Sequence, residues 1–552
     1  MSENHFSSKN RLHMLEKMSQ SELDLLVIGG GITGTGIALD AVSRGLKVGL
    51  VEKADFASGT SSRSGKLIHG GLKYLKQGEL GVIRETGTER AVVHKNARHL
   101  VKRVNMLFPI VKNGSFNKFT LKIGLATYDR LAGVKNDERH EMLSKKEVFE
   151  QEPLLNPELV SGGGMYIEYR TDDSRLTLEV AKTAYEKGAL ISNYAEVTDF
   201  QKDEKGKVMG VMVKDKVSQK SFQIQSKYIV NAGGPWVDKI RLLDGEISGK
   251  SLHLAKGIHI VVPFEKLPVN ESIYFDAAGR MIAVVPRNGC TYIGSTESSY
   301  YHDLDDIYVE KEEVEYLLNC TNTMFPSVHL TEADITSSWA GLRPLISDEG
   351  KAPSELSRKD EIFTSESGLI TIAGGKLTGY RRMAERVVDF VLRQGNQTFI
   401  SSQTENIKLT GGKFETDQEL DELVNDLDRD FKIEGVTKEL ITEFVHRYGS
   451  NTPGLLEAIQ EFQSEHLLHK KSLHEIIAAA ELHYTIENEM VVHLSDFLDR
   501  RTGYLLFNRN EIPQIIEAVS STLGSELGWD EGAAKIETSL FDKEYRKAIQ
   551  FI

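Results

Sequence analysis

The sequence predicts an α/β protein with a βαβ unit at its start, a β-rich middle and a helical C-terminal part. An apolar run, Leu23 to Ile28, meets glycines and a small-residue helix, and a second apolar run, Leu46 to Val51, follows. From about residue 404, apolar residues recur at spacings of three and four, which is typical of amphipathic helices. At 552 residues the chain is too long for one core, so we expect two to four domains.

The middle of the chain reads as strands. The pattern alternates between Val208 and Val230, and IHIVVP, MIAVVP and TYIGSTE are typical of strands. A late strand, Gly368 to Ala373, runs into a glycine-led helix and completes the opening fold. We therefore assign 1–404 to a nucleotide-binding domain interleaved with a substrate domain, and 405–552 to a helical domain. The nucleotide-binding parts are about 20–115, 160–240 and 340–400, and the substrate part is about 241–340 plus excursions from the rest of this region.

Composition excludes several classes of protein. The net charge of −14 disfavours a general affinity for nucleic acid. Cys290 and Cys320 are too few for a disulfide framework and lack the spacing of a metal site, so we expect no metal. We find neither a signal-peptide pattern nor a run of about 18 apolar residues, and expect a cytoplasmic protein.

The glycines after the first strand indicate a dinucleotide site. Gly29, Gly31 and Gly34 form G-x-G-x-x-G between a strand and a helix, where the helix N-terminus favours phosphate. Glu52 ends the next strand, where an acid accepts hydrogen bonds from ribose hydroxyls and disfavours NADP. A glycine-rich turn without a ligand is the alternative for the motif taken alone.

Two further segments favour FAD over NAD. The stretch SGTSSRSGKLIHGGLKYL, residues 58–75, supplies many hydroxyl and backbone donors, and the GGK at 374–376 adds a second glycine-led helix start. Candidate cofactor contacts beyond the glycine motif and its acid are Ser61, Ser62, Lys66, His69, Gly70, Gly233, Gly375, Lys376, Leu377 and Thr378.

The motifs VIGGGITGTGIALDAVSRGL, TSSRSGKLIHGGLKYL, NAGGPWVD, AKGIHIVVP, SSWAGLRPL, IAGGKLTGYRRMAE and AELHYTIENEMVVHLSDFLDRRTGYLL together resemble the aerobic FAD-dependent glycerol-3-phosphate dehydrogenases. The resemblance implies an FAD-binding Rossmann-like domain of the glutathione-reductase/D-amino-acid-oxidase type. It also implies oxidation of sn-glycerol 3-phosphate to dihydroxyacetone phosphate, with electrons passed to a membrane quinone. The related oxidases use oxygen and carry an insertion that we do not see between Arg343 and Lys376. A homodimer remains open.

Cationic side chains are the candidates for the substrate phosphate. Arg343 suits a phosphate because guanidinium forms a bidentate fork, although a structural ion pair is the alternative. Arg358 and Lys376 match further family positions near the phosphate. Lys73 departs from the arginine common in the family and loses the planar fork. Tyr74 matches a substrate-side hydroxyl, with a buried aromatic as the alternative.

A base near the C2 hydroxyl would help the oxidation. His259 in KGIHIVV is our candidate, because imidazole titrates near neutral pH and the family places this strand by the substrate. A hydrogen-bonded core histidine is the alternative reading. His69 in LIHGG competes for the role of base.

The segment 116–133 suggests peripheral contact with the inner face of the cell membrane. It mixes apolar residues with Lys118, Lys122 and Arg130 at helical spacing, and the matching family region is associated with membrane attachment. A packed surface helix is the alternative. An amine oxidase of the same fold, or a flavin-binding regulator, are competing functions.

Overall fold

The computed structural model describes residues 5–69, 80–131, 133–134, 138–245, 247, 249–277, 279–347, 359–395, 398–464 and 471–552. The strands are β1 (Glu22–Ile28), β2 (Val48–Val51), β3 (Leu67–Ile68), β4 (Val101–Val111), β5 (Glu141–Ser144), β6 (Val160–Thr171), β7 (Leu190–Ser192), β8 (Ala195–Lys202), β9 (Val208–Asp215), β10 (Ser221–Asn231), β11 (Ser251–Pro263), β12 (Ser272–Ala277), β13 (Arg280–Arg287), β14 (Cys290–Gly294), β15 (Ser298–Ser299), β16 (Ser337–Ser347), β17 (Glu361–Thr364) and β18 (Ile370–Ala373).

The helices are α1 (Arg11–Ser19), α2 (Ile32–Ser43), α3 (Leu80–Asn96), α4 (Lys118–Leu131), α5 (Lys145–Gln151), α6 (Asp173–Glu186), α7 (Val237–Asp244), α8 (Lys311–Met324), α9 (Tyr380–Gln394), α10 (Gln418–Asp430), α11 (Lys438–Tyr448), α12 (Thr452–Ser464), α13 (Leu473–Glu489), α14 (Tyr504–Phe507), α15 (Ile512–Leu527) and α16 (Glu531–Lys547). A buried π-helical turn, Asp496–Arg501, precedes α14. None of the helices in the described ranges is long and apolar enough to cross a membrane.

The first sheet is a doubly wound parallel sheet. Its parallel strands lie in the order β18-β10-β1-β2-β7, with β17 antiparallel at one edge and the β8–β9 hairpin added to β10. Leu25 and Val27 of β1 pack in the core that contains α2 and α9, while Leu26 and Ile28 pack on the other face with α1. Burial on both faces explains the continuous apolar run in the sequence, and the α/β class is confirmed.

The second sheet, which has ten strands within the described residues, forms the β-rich middle. The long strand β11 pairs with β14, β15 and β16, and α8 packs into the core on one side of the sheet. The three predicted strand motifs lie in β11, β13 and β14.

The interleaving of the two sheets differs from our assignment. We placed residues up to about 115 and from about 160 in the nucleotide-binding part, yet β4 and β6 pair with each other in the second sheet. The strand β16 also belongs to the second sheet, where it pairs with β11. Pairing between strands distant in sequence depends on tertiary contacts that periodicity along one strand does not reveal.

The C-terminal part is helical, as predicted. Its helix α13 lies between two cores, with Ile477 and Tyr484 in one and Leu482 and Ile486 in the other. Residues three and four apart share a face of a helix, so one helix serves both cores by presenting two apolar faces. This explains why the AELHYTIENEM segment is apolar beyond a single stripe.

Candidate active site

A cavity of about 1060 Å³ lies between the two sheets. It begins where β1, β10 and β18 end, at Gly29, Gly233 and Gly374, and extends to Tyr274 and Met281 of the second sheet. Ligands of open α/β sheets bind outside the carboxyl ends of the strands. The volume slightly exceeds the range of roughly 300 to 1,000 Å³ for small-molecule sites, so it accommodates a long cofactor together with a small substrate.

The glycine motif forms one end of this cavity. Gly29 has φ +118°, and a Cβ there would lie 2.5 Å from the carbonyl oxygen of Ala232. A Cβ on Gly34 would lie 1.9 Å from the carbonyl oxygen of Gly29, so α2 approaches β1 only without a side chain. Gly29 and Gly31 line the cavity, while Gly34 lies in the helix behind them. The loop is therefore shaped as a cradle in which backbone N–H groups can approach phosphate.

Glu52 joins the end of β2 to this cradle. Its carboxylate accepts hydrogen bonds from the backbone N–H of Gly30 at 2.6 Å and of Ala54 at 2.9 Å. Burial raises the pKa of Glu52, against the effect of those two hydrogen bonds. The side chain lines the cavity, in the position where an acid accepts bonds from ribose.

In the segment after Glu52, some of the predicted cofactor contacts line the cavity and others do not. Ser61 lines the cavity, and its Oγ accepts a hydrogen bond from the N–H of Ile32 at the start of α2, at 2.9 Å. Lys66 does not line the cavity, because its Nζ is buried and donates to Asp173 at 2.6 Å and to the carbonyl of Ser62 at 3.0 Å. Ser62 is also buried behind the wall. The expectation that Lys66 and Ser62 contact the cofactor does not fit these positions, since their polar atoms bond within the protein.

The late glycine segment forms another part of the cavity wall. Gly375, Lys376, Leu377 and Thr378 follow β18 and line the cavity, as does His69. The Oγ1 of Thr378 donates to the carbonyl oxygen of His69 at 3.3 Å, so the segment after β18 is in contact with the segment after β3. At the end of β10, Gly233 also lines the cavity, and a Cβ there would meet Ile240 at 2.5 Å.

Arg343 lies at the other end, on β16. Its guanidinium covers the backbone of Gly257 so closely that a Cβ there would lie 2.6 Å from both terminal nitrogens. Nη2 donates to the Oγ of Ser295 at 2.8 Å, and Ser295 also lines the cavity. The arginine is therefore held flat against the sheet, facing the same space as Lys376.

His259 lies near Arg343 on β11 and lines the cavity. Its ring stacks on Trp339 with a centroid distance of 4.7 Å and an interplanar angle of 10°. A Cβ on Gly294 would lie 2.0 Å from Cδ2 of the imidazole, so the ring fills a space that only glycine leaves open. Burial, followed by the charges of Arg343 and Lys66, lowers the pKa of His259 to about 3. The imidazole is therefore neutral at physiological pH.

The structure brings together the three predicted catalytic residues, His259, Arg343 and Lys376, along one cavity. Four predicted contacts lie outside the described residues: Gly70, Lys73, Tyr74 and Arg358.

Sequence reasoning missed charged and aromatic side chains at the wall of the cavity. Asp305 accepts hydrogen bonds from Lys53 at 2.5 Å and from the indole N–H of Trp236 at 2.9 Å, and all three line the cavity. Arg63 also lines it. Trp236 and Arg63 lie within the motifs NAGGPWVD and TSSRSGKLIHGGLKYL quoted above. Their membership of these motifs was the signal that could have identified them as cavity residues.

Comparisons with known proteins agree with this geometry. Residues 24–381 match the sequence model of the FAD dependent oxidoreductase family, which identifies the cofactor as FAD, and residues 402–534 match the C-terminal domain of alpha-glycerophosphate oxidase. Aerobic glycerol-3-phosphate dehydrogenase from Bacillus subtilis is 45% identical over 554 residues, covering 100% of this chain and 99% of the relative. The enzyme of that name from Staphylococcus haemolyticus is 44% identical over 550 residues, covering 99% and 97%.

A solved structure supports the same relationship. The glycerol-3-phosphate dehydrogenase from Bacillus halodurans, complexed with FAD, superposes with a TM-score of 0.85 at 40% identity, covering 99% of both chains. The L-alpha-glycerophosphate oxidase from Mycoplasma pneumoniae shares the fold, with a TM-score of 0.56 at 21% identity over 70% of this chain and 98% of that one. The chain therefore belongs to the family of aerobic, FAD-dependent glycerol-3-phosphate dehydrogenases.

Proposed function

We propose that the protein oxidises sn-glycerol 3-phosphate to dihydroxyacetone phosphate and that the electrons leave for a membrane quinone. The observation that carries this proposal is the shared cavity, in which the dinucleotide cradle at Gly29 opens toward Arg343, His259 and Lys376. The names of the relatives at 44–45% identity support the substrate.

The cofactor end of the cavity fits FAD. Gly29, where a Cβ would clash with the backbone of Ala232, and Gly31 let the backbone approach a pyrophosphate, and Glu52 is placed for ribose hydroxyls. The residues after β18, from Gly375 to Thr378, would hold the part of FAD that extends beyond the cradle. When bound, FAD supplies the acceptor for the hydride that leaves C2 of the substrate.

Two cations are assigned to the substrate phosphate. Arg343 is fixed by Ser295 and by the close approach to Gly257, so the protein need not order this side chain when substrate binds. Guanidinium binds phosphate in a bidentate fork, and Lys376, which lines the same cavity, adds a second positive charge. Lys73 and Arg358 stay predictions for the same phosphate, and Tyr74 stays a prediction for a substrate-side hydroxyl.

His259 is assigned as the base for the C2 hydroxyl. A pKa of about 3 leaves the imidazole neutral, with a lone pair available to accept a proton. Such an imidazole is a weak base, but the hydroxyl becomes strongly acidic as hydride departs and the carbonyl forms. A weak base suffices if the proton moves with the hydride, and stacking on Trp339 holds the ring still during this step. His69, on the same cavity, is the alternative base.

An oxygen-dependent oxidase is the second candidate function. The observation that favours it is the description of the family model that residues 402–534 match, the C-terminal domain of alpha-glycerophosphate oxidase. The quinone is preferred because α4 presents a surface suited to a lipid interface. Phe119 and Ile123 are exposed there beside Lys118 and Lys122, while Leu121 on the opposite face is buried.

The experiment that tests the proposal is an anaerobic titration of the holoenzyme. Stoichiometric glycerol 3-phosphate should bleach the flavin absorbance, and a short-chain quinone should restore it within the dead time of manual mixing. Bleaching by glycine or another amine, but not by glycerol 3-phosphate, would contradict the substrate. Rapid reoxidation by air with formation of hydrogen peroxide and no response to quinone would assign the protein to the oxidases.

A further inference from the structure

The π-helical turn Asp496–Arg501, with the sequence DFLDRR, contacts both ends of the segment 55–63, which follows Glu52 in the chain. Two of its arginines reach the same carboxylate: Nε of Arg500 donates to Asp55 at 2.6 Å, and the terminal nitrogens of Arg501 donate to Asp55 at 2.7 and 2.8 Å. Asp55 is fully buried. Although burial acts to raise it, Arg501 and Arg500 hold the pKa of Asp55 well below its usual range.

The same turn also binds the other end of this segment, at Arg63. Asp499 accepts hydrogen bonds from both terminal nitrogens of Arg63, at 2.5 and 3.2 Å. Arg63 lines the cofactor cavity, and its backbone lies so close to β16 that a Cβ on Gly341 would be 2.2 Å from the Arg63 carbonyl oxygen. Bidentate arginine–carboxylate pairs fix orientation as well as position. The guanidinium of Arg63 is thus oriented by a residue 436 positions away in the chain.

The part of the segment between Asp55 and Arg63 contacts the glycine cradle. Ser61 lies two residues before Arg63 and accepts the hydrogen bond from Ile32 at the start of α2. Displacement of the segment would therefore open one wall of the cavity and release an N–H group of the phosphate-binding helix. The helical domain therefore affects the shape of the cavity indirectly, because its π-helical turn holds this segment in place.

We propose that the DFLDRR turn positions the 55–63 segment for FAD, with Asp499 as a positioning residue for Arg63. Asp499 acts through Arg63, which presents its cation to the anionic cofactor. Arg500 and Arg501 fix the other end of the segment through Asp55. The proposal gives the C-terminal helical domain a role in retaining the cofactor, and it holds whichever substrate and electron acceptor the enzyme uses.

The rate at which FAD leaves the holoenzyme tests this role. The enzyme is diluted into cofactor-free buffer, and the fluorescence of released flavin is followed with time. We expect Asp499→Asn to release FAD about tenfold faster or more, as the loss of a charge-assisted hydrogen bond predicts. Unchanged release from a folded Asp499→Asn enzyme would overturn the proposal.

A matched control separates positioning from general loss of stability. Glu481 on α13 is equally buried and accepts hydrogen bonds from Arg447 and from the hydroxyl of Tyr448, all within the helical domain. We expect Glu481→Gln to lower the melting temperature and to release FAD at the unmodified rate. Equal acceleration by Glu481→Gln and Asp499→Asn would show that any buried ion pair of this domain has the effect, and would overturn the assignment.

A double variant tests whether Asp499 acts through Arg63. Arg63 is partly exposed, and Arg500 also donates to Asp499, so we expect Arg63→Gln to fold and to carry the test even if Asp499→Asn fails to fold. We expect Arg63→Gln, Asp499→Asn and the double variant to release FAD at the same rate, because all three lose one interaction. Unchanged release from Arg63→Gln, or an effect of the double variant equal to the product of the two single effects, would overturn the pairing.

Discussion

The cofactor end and the substrate end of the cavity are constructed in different ways. At the cofactor end, Gly29, Gly31 and Glu52 are close in sequence, and the main constraint is space for the backbone. At the substrate end, His259 and Arg343 lie on paired strands that are far apart in sequence, and the functional atoms belong to side chains. Changes at the first end should therefore abolish cofactor binding, whereas changes at the second should alter catalysis by graded amounts.

The largest effect is expected for Gly34→Val. A Cβ at this position would lie 1.9 Å from a backbone oxygen, which no side-chain rearrangement relieves, so α2 must move away from β1. We expect purified Gly34→Val to contain no FAD, measured as flavin absorbance per protein. Gly45→Ala is the control, because among the described residues no atom beyond its chain neighbours lies within 4 Å of a Cβ there, although its φ of +84° still adds strain. Full flavin content in Gly34→Val would show that this packing is not required.

His259→Ala should have the next largest effect, and it should spare FAD binding. Loss of a general base typically costs about 100- to 10,000-fold in rate. We expect a loss of this order in anaerobic flavin reduction at saturating substrate, measured by stopped flow. His253→Ala, on the same strand but partly exposed, should reduce flavin at the unmodified rate. If His259→Ala retains the rate, the base is elsewhere, and His69→Ala becomes the informative variant.

How much could be predicted from the sequence follows the same division. The cradle was predictable because glycine spacing and a terminal acid express a local constraint. The pairing of β11 with β16, which places His259 opposite Trp339 and Ala255 opposite Arg343, has no local signal. Family resemblance selected His259 and Arg343 where periodicity could not.

Lys66 illustrates the limit of reading a motif by its composition. It lies among hydroxyl donors, so the sequence suggested a cofactor contact, but the buried carboxylate of Asp173 accepts a hydrogen bond from its ammonium. The pair of Arg63 and Asp499 was equally inaccessible, since the two residues are 436 positions apart and meet only in the folded chain. Charged side chains near a motif therefore require the tertiary structure before they are assigned to a ligand.

Arg343→Ala should have a smaller effect than the histidine variant and a different kinetic form. A hydrogen bond to a charged group contributes about 1.5 to 3 kcal/mol, so KM for glycerol 3-phosphate should rise by about 10- to 150-fold. The FAD content should stay unchanged, because the variant leaves the cradle at Gly29, Gly31 and Glu52 intact. Arg343→Lys should give an intermediate KM, since it keeps the charge and loses the fork. An unchanged KM in the alanine variant would return Arg343 to a structural role.

The smallest effect on the reaction itself is expected from a surface outside the cavity. Near an anionic membrane each lysine contributes about 1 kcal/mol, so reversing Lys118 and Lys122 to glutamate on α4 should weaken binding to anionic liposomes, measured by co-sedimentation. Flavin reduction by substrate in solution should not change. The control reverses Lys432 and Lys438, which are also exposed but lie in the helical domain, and it alters the net charge equally. If both pairs weaken binding alike, attraction depends on total charge. Only selective loss with the α4 pair supports a membrane face beside the substrate end, where Leu121 packs with Phe108 and Tyr166 of the cavity wall.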